Sequence, residues 1–321
     1  MLSQLYPPKR FDKRSVSAET SVEEHSETEK ERQRSAVISF NEIPFRSFYK
    51  EFKSLNRISK SRMDKSKFFQ CNSEISKRNR YPNILPFADS MVSLDDSVNI
   101  KPEAYINANF IHNIDTSDSQ STFIATQGPL QQTSEDFWRM VLKYNSPLVI
   151  AIIEPKFIGD RCHGYWPFHK LPQTELEEYQ ITRKEFWHSP LLNIQALDIF
   201  CKQSKTHTSV NHIHVHSWKD GARISRKYYI EFVELLKYIH AYMEDHKGSP
   251  IIVHCSAGVG RTCTLIAAYY LYELWVRCKD EGKPFTFSVY GLVKCLRTQR
   301  WKAVQTLEQY IFLYEIIEFF D

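Results

Sequence analysis

The sequence predicts an α/β domain built on a twisted mixed sheet flanked by helices, and three observations lead to this prediction. Segment 147–153, which reads PLVIAII, is apolar at successive positions and predicts a strand buried on both faces. Segment 251–255, IIVHC, predicts a second short buried strand, and a tight loop separates it from a long apolar helix at 262–275. Strands interleaved with helices on this scale favour an α/β domain with a mixed, twisted sheet, in which the tight loop joins a central strand to a helix.

The other elements are predicted in order along the chain. Phe45, Phe48, Phe52 and Leu55 recur at three- and four-residue spacing, so an amphipathic helix should open the domain. Segments 105–111 and 121–126 are typical of strands, and 135–144 of a helix. Two further helices are expected at 288–300 and 304–320, each with apolar residues on one face. Those residues are Val289, Leu292, Val293 and Leu296 in the first helix, and Leu307, Tyr310, Ile311, Tyr314 and Ile317 in the second.

The composition divides the chain in two. Residues 1–39 carry seven basic and seven acidic residues and few large apolar side chains, so we expect a disordered, charged extension. Residues 40–321 are expected to form one folded domain. Basic residues outnumber acidic ones between Lys50 and Arg80, which indicates either a solvated helix face or a docking patch for acidic substrates; the solvated face is the simpler interpretation.

The charge and cysteine content exclude several function classes. The formal net charge of the 321 residues is +4, far from the dense basic clustering of a nucleic-acid-binding protein. No apolar run is long enough for a membrane span, and the N-terminus does not resemble a signal peptide. The seven cysteines are scattered without a CxxC pair, which argues against a disulfide framework or a zinc site. We expect most of them to be reduced, buried thiols.

The segment His254–Arg261, HCSAGVGR, is the strongest functional signal. Small residues between a strand and a helix start let successive backbone N–H groups converge on an anion such as phosphate. A cysteine at a helix N-terminus beside a cation has a lowered pKa and becomes a nucleophilic thiolate. Arg261 can hold two phosphoryl oxygens, and the Thr262 hydroxyl can donate toward the sulfur of Cys255. The expected phosphate-binding residues of the loop are Ser256, Ala257, Gly258, Val259 and Gly260.

A bare Cys-x5-Arg spacing is a weak signal, because a buried thiol followed by a glycine turn has the same pattern. The full string HCSAGVGRT between an apolar strand and an apolar helix is far more specific. It resembles the signature of the cysteine-dependent, tyrosine-specific protein tyrosine phosphatases, and the resemblance extends over about residues 40–321. It implies that family's fold and a two-step hydrolysis of phosphotyrosine through a cysteinyl phosphate on Cys255, without a metal or organic cofactor.

Other segments resemble further parts of the same family. Asp220, in HSWKDGAR, lies where the family has the general acid, although Lys219 and Gly221 replace the usual proline and aromatic residue and no proline follows near Ile224. An ordinary Asp-Gly turn is the alternative interpretation. Because proline reduces the freedom of the open loop, its absence predicts a loop that closes less readily.

Three more segments complete the predicted site. Gln305 lies where the family positions the hydrolytic water, with Gln309 one helical turn later. Tyr81 lies where the family stacks a tyrosine on the substrate ring, and Asn83 where the substrate backbone is held. Arg161 stands where the family has a lysine facing the loop that carries the general acid, here Asp220; we call this loop the acid loop. Structural matches occur at 105–111, 125–130, 136–141 and 163–167.

Some signals are given less weight. The histidines His207, His212, His214 and His216 alternate along a predicted strand, but no carboxylate or cysteine ligand is adjacent, so we predict no metal site. Cys263 could resolve an oxidised Cys255, yet helix packing is the simpler interpretation. Lys302 stands where the family often has a smaller residue at the mouth of the site, and Glu154 is a weak candidate for the glutamate that braces the arginine.

The sequence therefore predicts a cytoplasmic, non-receptor phosphatase in phosphotyrosine signalling, with access to the nucleus left open. Its expected partners are proteins that carry phosphotyrosine, and the oligomeric state is left open. Two rivals are a catalytically weak phosphotyrosine-binding module, which the altered acid loop would favour, and a phosphoinositide phosphatase. The predicted slot at Tyr81 and the absence of lysines inside the phosphate loop argue against the second.

Overall fold

The structure is a computed structural model that describes residues 45–61, 65–95, 101–112, 122–168 and 171–321. The predicted extension at 1–39 lies outside these ranges. Seven α-helices are found within them, and the first opens the domain as its apolar spacing predicts. The helices are α1 (Phe45–Ser61), α2 (Ser73–Lys77), α3 (Ser134–Lys143), α4 (Tyr229–Asp245), α5 (Arg261–Asp280), α6 (Val289–Gln299) and α7 (Leu307–Ile317).

Nine strands of the described ranges form one mixed sheet in the order β1-β2-β3-β9-β4-β8-β7-β6-β5. The four central strands β3, β9, β4 and β8 run parallel. The flanking strands pair antiparallel. The strands are β1 (Met91–Ser93), β2 (Tyr105–His112), β3 (Thr122–Thr126), β4 (Leu148–Ile152), β5 (Gln173–Glu175), β6 (Tyr179–His188), β7 (Leu192–Cys201), β8 (Thr206–Val215) and β9 (Ile251–His254).

Both faces of the central strands are buried, as the apolar runs of β4 and β9 predict. Alternate residues of one strand enter opposite cores: Ile150 packs in the larger core with helices α1 and α4–α7, whereas Val149 and Ala151 pack on the other face with α3. The sheet is therefore covered on both sides, and β9 ends in the middle of the domain.

The last predicted helix begins later than expected. Helix α7 starts at Leu307 rather than at residue 304, because Thr306 caps it by accepting a hydrogen bond from the Gln309 amide. The preceding residues Lys302 and Val304 have positive φ angles of 61° and 54°, so the chain turns there instead of continuing the helix. This turn carries Gln305 next to the loop that follows β9.

Candidate active site

The predicted phosphate loop lies between the end of β9 and the first residue of α5, Arg261. In open α/β sheets, ligands bind beyond the carboxyl ends of the parallel strands, and β9 lies between two parallel neighbours. The N-terminus of α5 adds the positive end of a 20-residue helix to the loop. The loop therefore occupies the position in this fold where an anion is most favoured.

Gly258 allows the loop to turn against strand β3. Its φ angle of +70° lies in the left-handed region, and a Cβ atom there would lie 2.1 Å from the Thr126 carbonyl oxygen. A side chain would therefore clash with backbone that cannot move away.

Arg300 holds the loop in its curled shape. This fully buried guanidinium donates from Nε to the Gly258 carbonyl at 3.1 Å and from Nη2 to the Ala257 carbonyl at 3.3 Å. Asn107 and Asn109 each accept from it at 2.8 Å. Because the N–H of a trans peptide points away from its C=O, fixing these carbonyls aims the following amides in the opposite direction. Arg300 was not among the residues predicted from the sequence.

His254 supports the loop from the β9 side. Its Nδ1 lies 3.0 Å from the Cys255 carbonyl oxygen, and its Nε2 lies 2.7 Å from the Tyr165 hydroxyl. Complete burial lowers the pKa of His254 to about 4, although the bond to Cys255 opposes this shift. The ring is therefore neutral at pH 7, so Nδ1–H donates to the carbonyl and Nε2 accepts from Tyr165.

Cys255 is the buried thiol at the start of the loop, 3% exposed. Burial raises its pKa, but the charge of Arg261, together with the hydroxyl and amide of Thr262 and the Gly258 amide, lowers it more. The net pKa is below the ordinary value, which favours the thiolate. The buried Thr262 Oγ1 has no other hydrogen-bond partner among the described residues, so its hydroxyl can donate toward the sulfur.

Arg261 is fully buried and presents free donors beside Cys255. Its Nη1 donates to the Trp218 carbonyl at 3.2 Å. Its Nη2 lies 3.0 Å from Asp220 Oδ1 as an ion pair. Neither Nε nor Nη2 has an acceptor in hydrogen-bond geometry within the described part of the chain. Two unused donors on one planar group match two oxygens of a phosphoryl group.

Asp220 lies over the loop, held between two arginines. Besides Arg261, its carboxylate contacts Arg161 Nη1 at 2.7 Å, so Arg161 faces the acid loop as the sequence predicts. The Asp220 amide donates to Glu154 Oε1 at 3.3 Å. Glu154 therefore contacts the acid loop, and its other carboxylate oxygen pairs with Lys156 at 3.3 Å.

Gln305 and Gln309 approach the opposite side of the loop. An added Cβ on Gly260 would lie 3.3 Å from Gln305 Oε1 and 3.0 Å from Gln309 Nε2. Gln309 is fully buried, and its Oε1 accepts from the amides of Gln305 and Thr306 at 3.0 and 3.2 Å. Its Nε2 has no hydrogen-bond partner among the described residues, which leaves a buried donor beside the loop.

Tyr81 lies at the same site, whereas Asn83 lies further out. The Tyr81 hydroxyl and Ser256 Oγ are 2.9 Å apart, which fixes the half-buried ring against the loop. Ser256 Oγ also donates to the Arg161 carbonyl at 3.0 Å. Asn83 is exposed, two residues after Tyr81. The structure thus brings all the predicted catalytic residues and most predicted binding residues around one loop.

The cysteines depart partly from the prediction. All seven are free, but only Cys162, Cys255 and Cys263 are buried, and the other four are half-buried. The prediction that most are buried is therefore wrong. Burial raises the pKa of the Cys263 thiol to about 12, which keeps it protonated in the core.

The histidine cluster packs among aromatic rings. The rings of Trp166 and His212 stack with centroids 4.8 Å apart, and His214 Nε2 lies 2.8 Å from the Ile153 carbonyl oxygen. His207 pairs with Asp198 at 3.0 Å. Across the described ranges, no group of three or more potential ligands is placed to hold a metal ion. Every helix in these ranges is too short or too polar to cross a membrane.

Comparison with known proteins places this geometry in a family. Residues 75–318 match the family model of the protein-tyrosine phosphatases. Tyrosine-protein phosphatase non-receptor type 20 of Rattus norvegicus is 35% identical over 254 residues, which cover 78% of this chain and 56% of that protein. Receptor-type tyrosine-protein phosphatase S of Gallus gallus is 32% identical over 269 residues, 83% of this chain and 17% of that protein. This chain thus spans about half the length of the type 20 relative.

Solved structures agree with the sequence matches. The catalytic domain of human protein tyrosine phosphatase non-receptor type 18 has a TM-score of 0.71 and 28% identity, covering 86% of this chain and 96% of that one. A structure of the type 18 protein in complex with HER2 phosphopeptides has a TM-score of 0.72 and 27% identity, covering 90% and 96%. The mixed α/β fold predicted from the sequence is confirmed. The chain belongs to the protein-tyrosine phosphatase family.

Proposed function

We propose that this chain hydrolyses phosphotyrosine in proteins through a cysteinyl-phosphate intermediate on Cys255. The observation that carries the proposal is Arg261, a fully buried guanidinium with two unused donors beside a thiol of lowered pKa. A buried charged donor without an acceptor is costly, and a phosphoryl oxygen satisfies it. The catalytic domain comprises residues 40–321.

In the first step the Cys255 thiolate attacks phosphorus and the bond from phosphorus to the tyrosyl oxygen breaks. The loop amides and Arg261 hold the equatorial oxygens, where charge develops in the transition state. Asp220 gives its proton to the leaving oxygen, since an unprotonated tyrosinate with a pKa near 10 leaves slowly. Phosphate competes with Asp220 for Arg261, because the Asp220 carboxylate lies 3.0 Å from Nη2 as an ion pair and a phosphoryl oxygen would take the same donor.

In the second step water attacks phosphorus and the bond to the Cys255 sulfur breaks, which regenerates the thiolate. Asp220 takes the proton of that water. Gln305 and Gln309 lie on the side of the loop at Gly260, where their amides orient the water. The unpaired Nε2 of Gln309 supplies a donor at this position.

The substrate class follows from the depth of the site. Tyr81 forms one wall, fixed by its hydroxyl on Ser256, and stacks on the phenyl ring of phosphotyrosine. Beside this wall, the phosphotyrosine side chain is long enough to bring its phosphate to Cys255, whereas the shorter phosphoserine side chain does not reach it. Asn83 holds the substrate backbone, and Arg161 adds charge at the entrance.

The cellular setting is part of the same proposal. The enzyme acts in the cytoplasm in phosphotyrosine signalling as a non-receptor type, in line with the type 20 and type 12 relatives and with seven free thiols. Its partners are proteins that carry phosphotyrosine, as in the HER2 phosphopeptide complex of the type 18 protein.

Steady-state hydrolysis tests the proposal. The wild type, Cys255→Ser and Asp220→Asn are assayed on one phosphotyrosyl peptide, on the matched phosphoseryl peptide and on a soluble phosphoinositide. We expect the wild type to turn over only the phosphotyrosyl peptide, Cys255→Ser to be inactive, and Asp220→Asn to lose at least about a hundredfold on that peptide. Peptide binding without turnover by the wild type would replace the enzyme with a binding module.

A further inference from the structure

The acid loop lacks the residues that usually stiffen it, yet Asp220 lies closed over the phosphate loop. Lys219 and Gly221 flank Asp220, and Gly221 has a φ of +70°. The Trp218 side chain is fully buried and donates from Nε1 to the Ala222 carbonyl at 2.8 Å, which anchors both ends of the turn. That contact is within the loop. Arg161, Arg261 and Glu154 hold Asp220 beside the phosphate loop, and further contacts join the acid loop to α7.

One contact joins the tip of the loop to the start of α7. Thr306 Oγ1 donates to the Gly221 carbonyl at 2.7 Å, directly after Asp220. The same oxygen accepts from the Gln309 amide, so its proton is directed at Gly221. A Cβ atom on Gly221 would lie 3.8 Å from Thr306 Cγ2, in ordinary van der Waals contact. The tip of the acid loop therefore contacts the segment that carries Gln305 and Gln309 through Thr306.

A second contact joins the end of the loop to the face of α7. Arg223 Nη1 lies 2.6 Å from Glu315 Oε1, and its Nε lies 3.3 Å from Glu308 Oε2. Glu315 is only 16% exposed and also accepts from the Tyr229 hydroxyl, which holds it in place. Glu308 is half exposed, so its pair with Arg223 is screened and weak. Glu315 therefore provides the stronger half of this contact.

A cavity borders one side of the acid loop, whose Trp218 and Ile224 side chains are themselves buried in the core. A cavity of about 680 Å³ is lined by Lys219, Arg223 and Ile224 on the loop side, and by Arg226 and Tyr228 below them. The exposed side chains Lys219 and Arg223 thus border open space, and Arg223 is held by its pairs with α7.

We propose that Thr306 and Arg223 are positioning residues. Their contacts with Gly221 and Glu315, together called the clasp, hold the acid loop closed against α7 and so place Asp220 over Cys255. The proposal rests on the proposed function, in which Asp220 is the general acid. A proline in the loop would limit the conformations that the open loop can adopt. Here the contacts of Thr306 and Arg223 stabilise the closed loop directly instead. Neither residue touches the substrate, and each acts through the population of the closed loop.

The test compares two substrates whose leaving groups differ in their need for a proton. For each variant, kcat/KM reports the steps up to cleavage of the phosphorus–oxygen bond. Phosphotyrosine needs the acid, whereas 2,4-dinitrophenolate leaves without protonation. We expect Arg223→Gln to lower kcat/KM for a phosphotyrosyl peptide about fivefold and to change that for 2,4-dinitrophenyl phosphate less than about twofold. Thr306→Val should act in the same direction.

Controls separate positioning from folding. Lys237→Gln removes an exposed pair with Glu234 on α4 and should leave both values at the wild-type level. Thr306→Ser keeps both hydrogen bonds of the hydroxyl and should also match the wild type. Because Thr306 caps α7, the melting temperature of each variant is measured beside its kinetics. Glu315→Gln should resemble Arg223→Gln, and the double variant should lose little more than either single variant.

The Asp220→Asn background gives the decisive comparison. There the clasp has no acid to position, so adding Arg223→Gln should change kcat/KM for the phosphotyrosyl peptide less than about twofold. An unchanged phosphotyrosine value in Arg223→Gln alone, an equal loss on both substrates, or a full fivefold loss retained in Asp220→Asn would each overturn the clasp. If Asp220→Asn alone were as fast as the wild type, the assignment of the acid in the proposed function would fall, and the clasp with it.

Discussion

Arg300 Nε donates a hydrogen bond to the Gly258 carbonyl oxygen at 3.1 Å, and the guanidinium is fully buried behind the phosphate loop. The two residues are 42 positions apart in the sequence, and Arg300 also bonds to Asn107 and Asn109 on β2. One side chain therefore joins the loop to strand β2, which lies next to the parallel strands. The curvature of the loop depends on this arginine as much as on its own glycines.

Replacing Arg300 should damage both stability and catalysis. Arg300→Met removes every donor and leaves two loop carbonyls and two asparagine oxygens buried without partners. We expect a loss of about 3 kcal/mol in the free energy of unfolding, measured by urea titration, and about a hundredfold in kcat/KM. Arg300→Lys keeps the positive charge but loses the planar guanidinium. Its unfolding free energy and its kcat/KM should therefore lie between those of the wild type and Arg300→Met. Wild-type kinetics in Arg300→Met would contradict this role.

The two glycines of the loop should respond differently to alanine. In Gly258→Ala the new Cβ would lie 2.1 Å from the Thr126 carbonyl at a positive φ, so we expect a loss of about 3 kcal/mol or more in unfolding free energy. In Gly260→Ala the Cβ would meet the end of the Gln309 side chain at 3.0 Å, and φ is −74°. That variant should lose less than about 1 kcal/mol, with release of phosphate from Cys255 slowed as the glutamines shift. Equal stability losses would be the contrary result.

The sequence could predict those parts of the site that lie close together along the chain. Cys255 and Arg261 share one loop, and their chemistry follows from residue types and spacing. Arg300 could not be predicted in the same way, because its role depends on carbonyls and amides brought together by the sheet. The contacts of Thr306 with Gly221 and of Arg223 with Glu315 span 85 and 92 residues and have no local signature.

The fold shows the same division. The buried strands β4 and β9 and the helix α5 were predicted, since the strands are apolar at successive positions and the helix contains the apolar run 265–272. Strand β6 has buried residues only near its start, at Tyr179 and Ile181, and beyond them every residue is half-buried or exposed, Phe186 and Trp187 included. Nine residue pairs with β7, interrupted by a bulge between Arg183 and Glu185, hold it in the sheet, so the partner strand determines a strand that its own residue pattern does not clearly predict.

The lowered pKa of Cys255 should appear in its reactivity. The sign follows from the direction: a lowered pKa keeps the thiolate populated as the pH falls below the ordinary cysteine value near 8.5. The rate of inactivation by iodoacetamide, measured against pH, should therefore reach its midpoint at a lower pH than the same reaction of N-acetylcysteine. Thr262→Ala should move the midpoint upward, because it removes the hydroxyl that lowers this pKa and keeps only the amide. A wild-type midpoint equal to that of the free thiol would contradict the proposed activation.

The neutral His254 should make the domain sensitive to acid. Burial lowers its folded pKa to about 4, below the ordinary 6.5, so the unfolded chain binds the extra proton between these values. Its contribution to stability is complete above pH 6.5 and is lost as the pH falls toward 4. Each pH unit in this window costs up to about 1.4 kcal/mol, or about 3 kcal/mol in total.

Urea unfolding of wild type and His254→Asn from pH 7.5 to 4.5 measures this effect. Asparagine keeps a donor for the Cys255 carbonyl but does not titrate, so its unfolding free energy should fall less steeply below pH 6.5. Burial also lowers the pKa of His212, and that contribution remains in both proteins. The difference between the two curves therefore isolates one proton at His254. Parallel curves for wild type and His254→Asn would show that the imidazole behind Cys255 does not bind that proton.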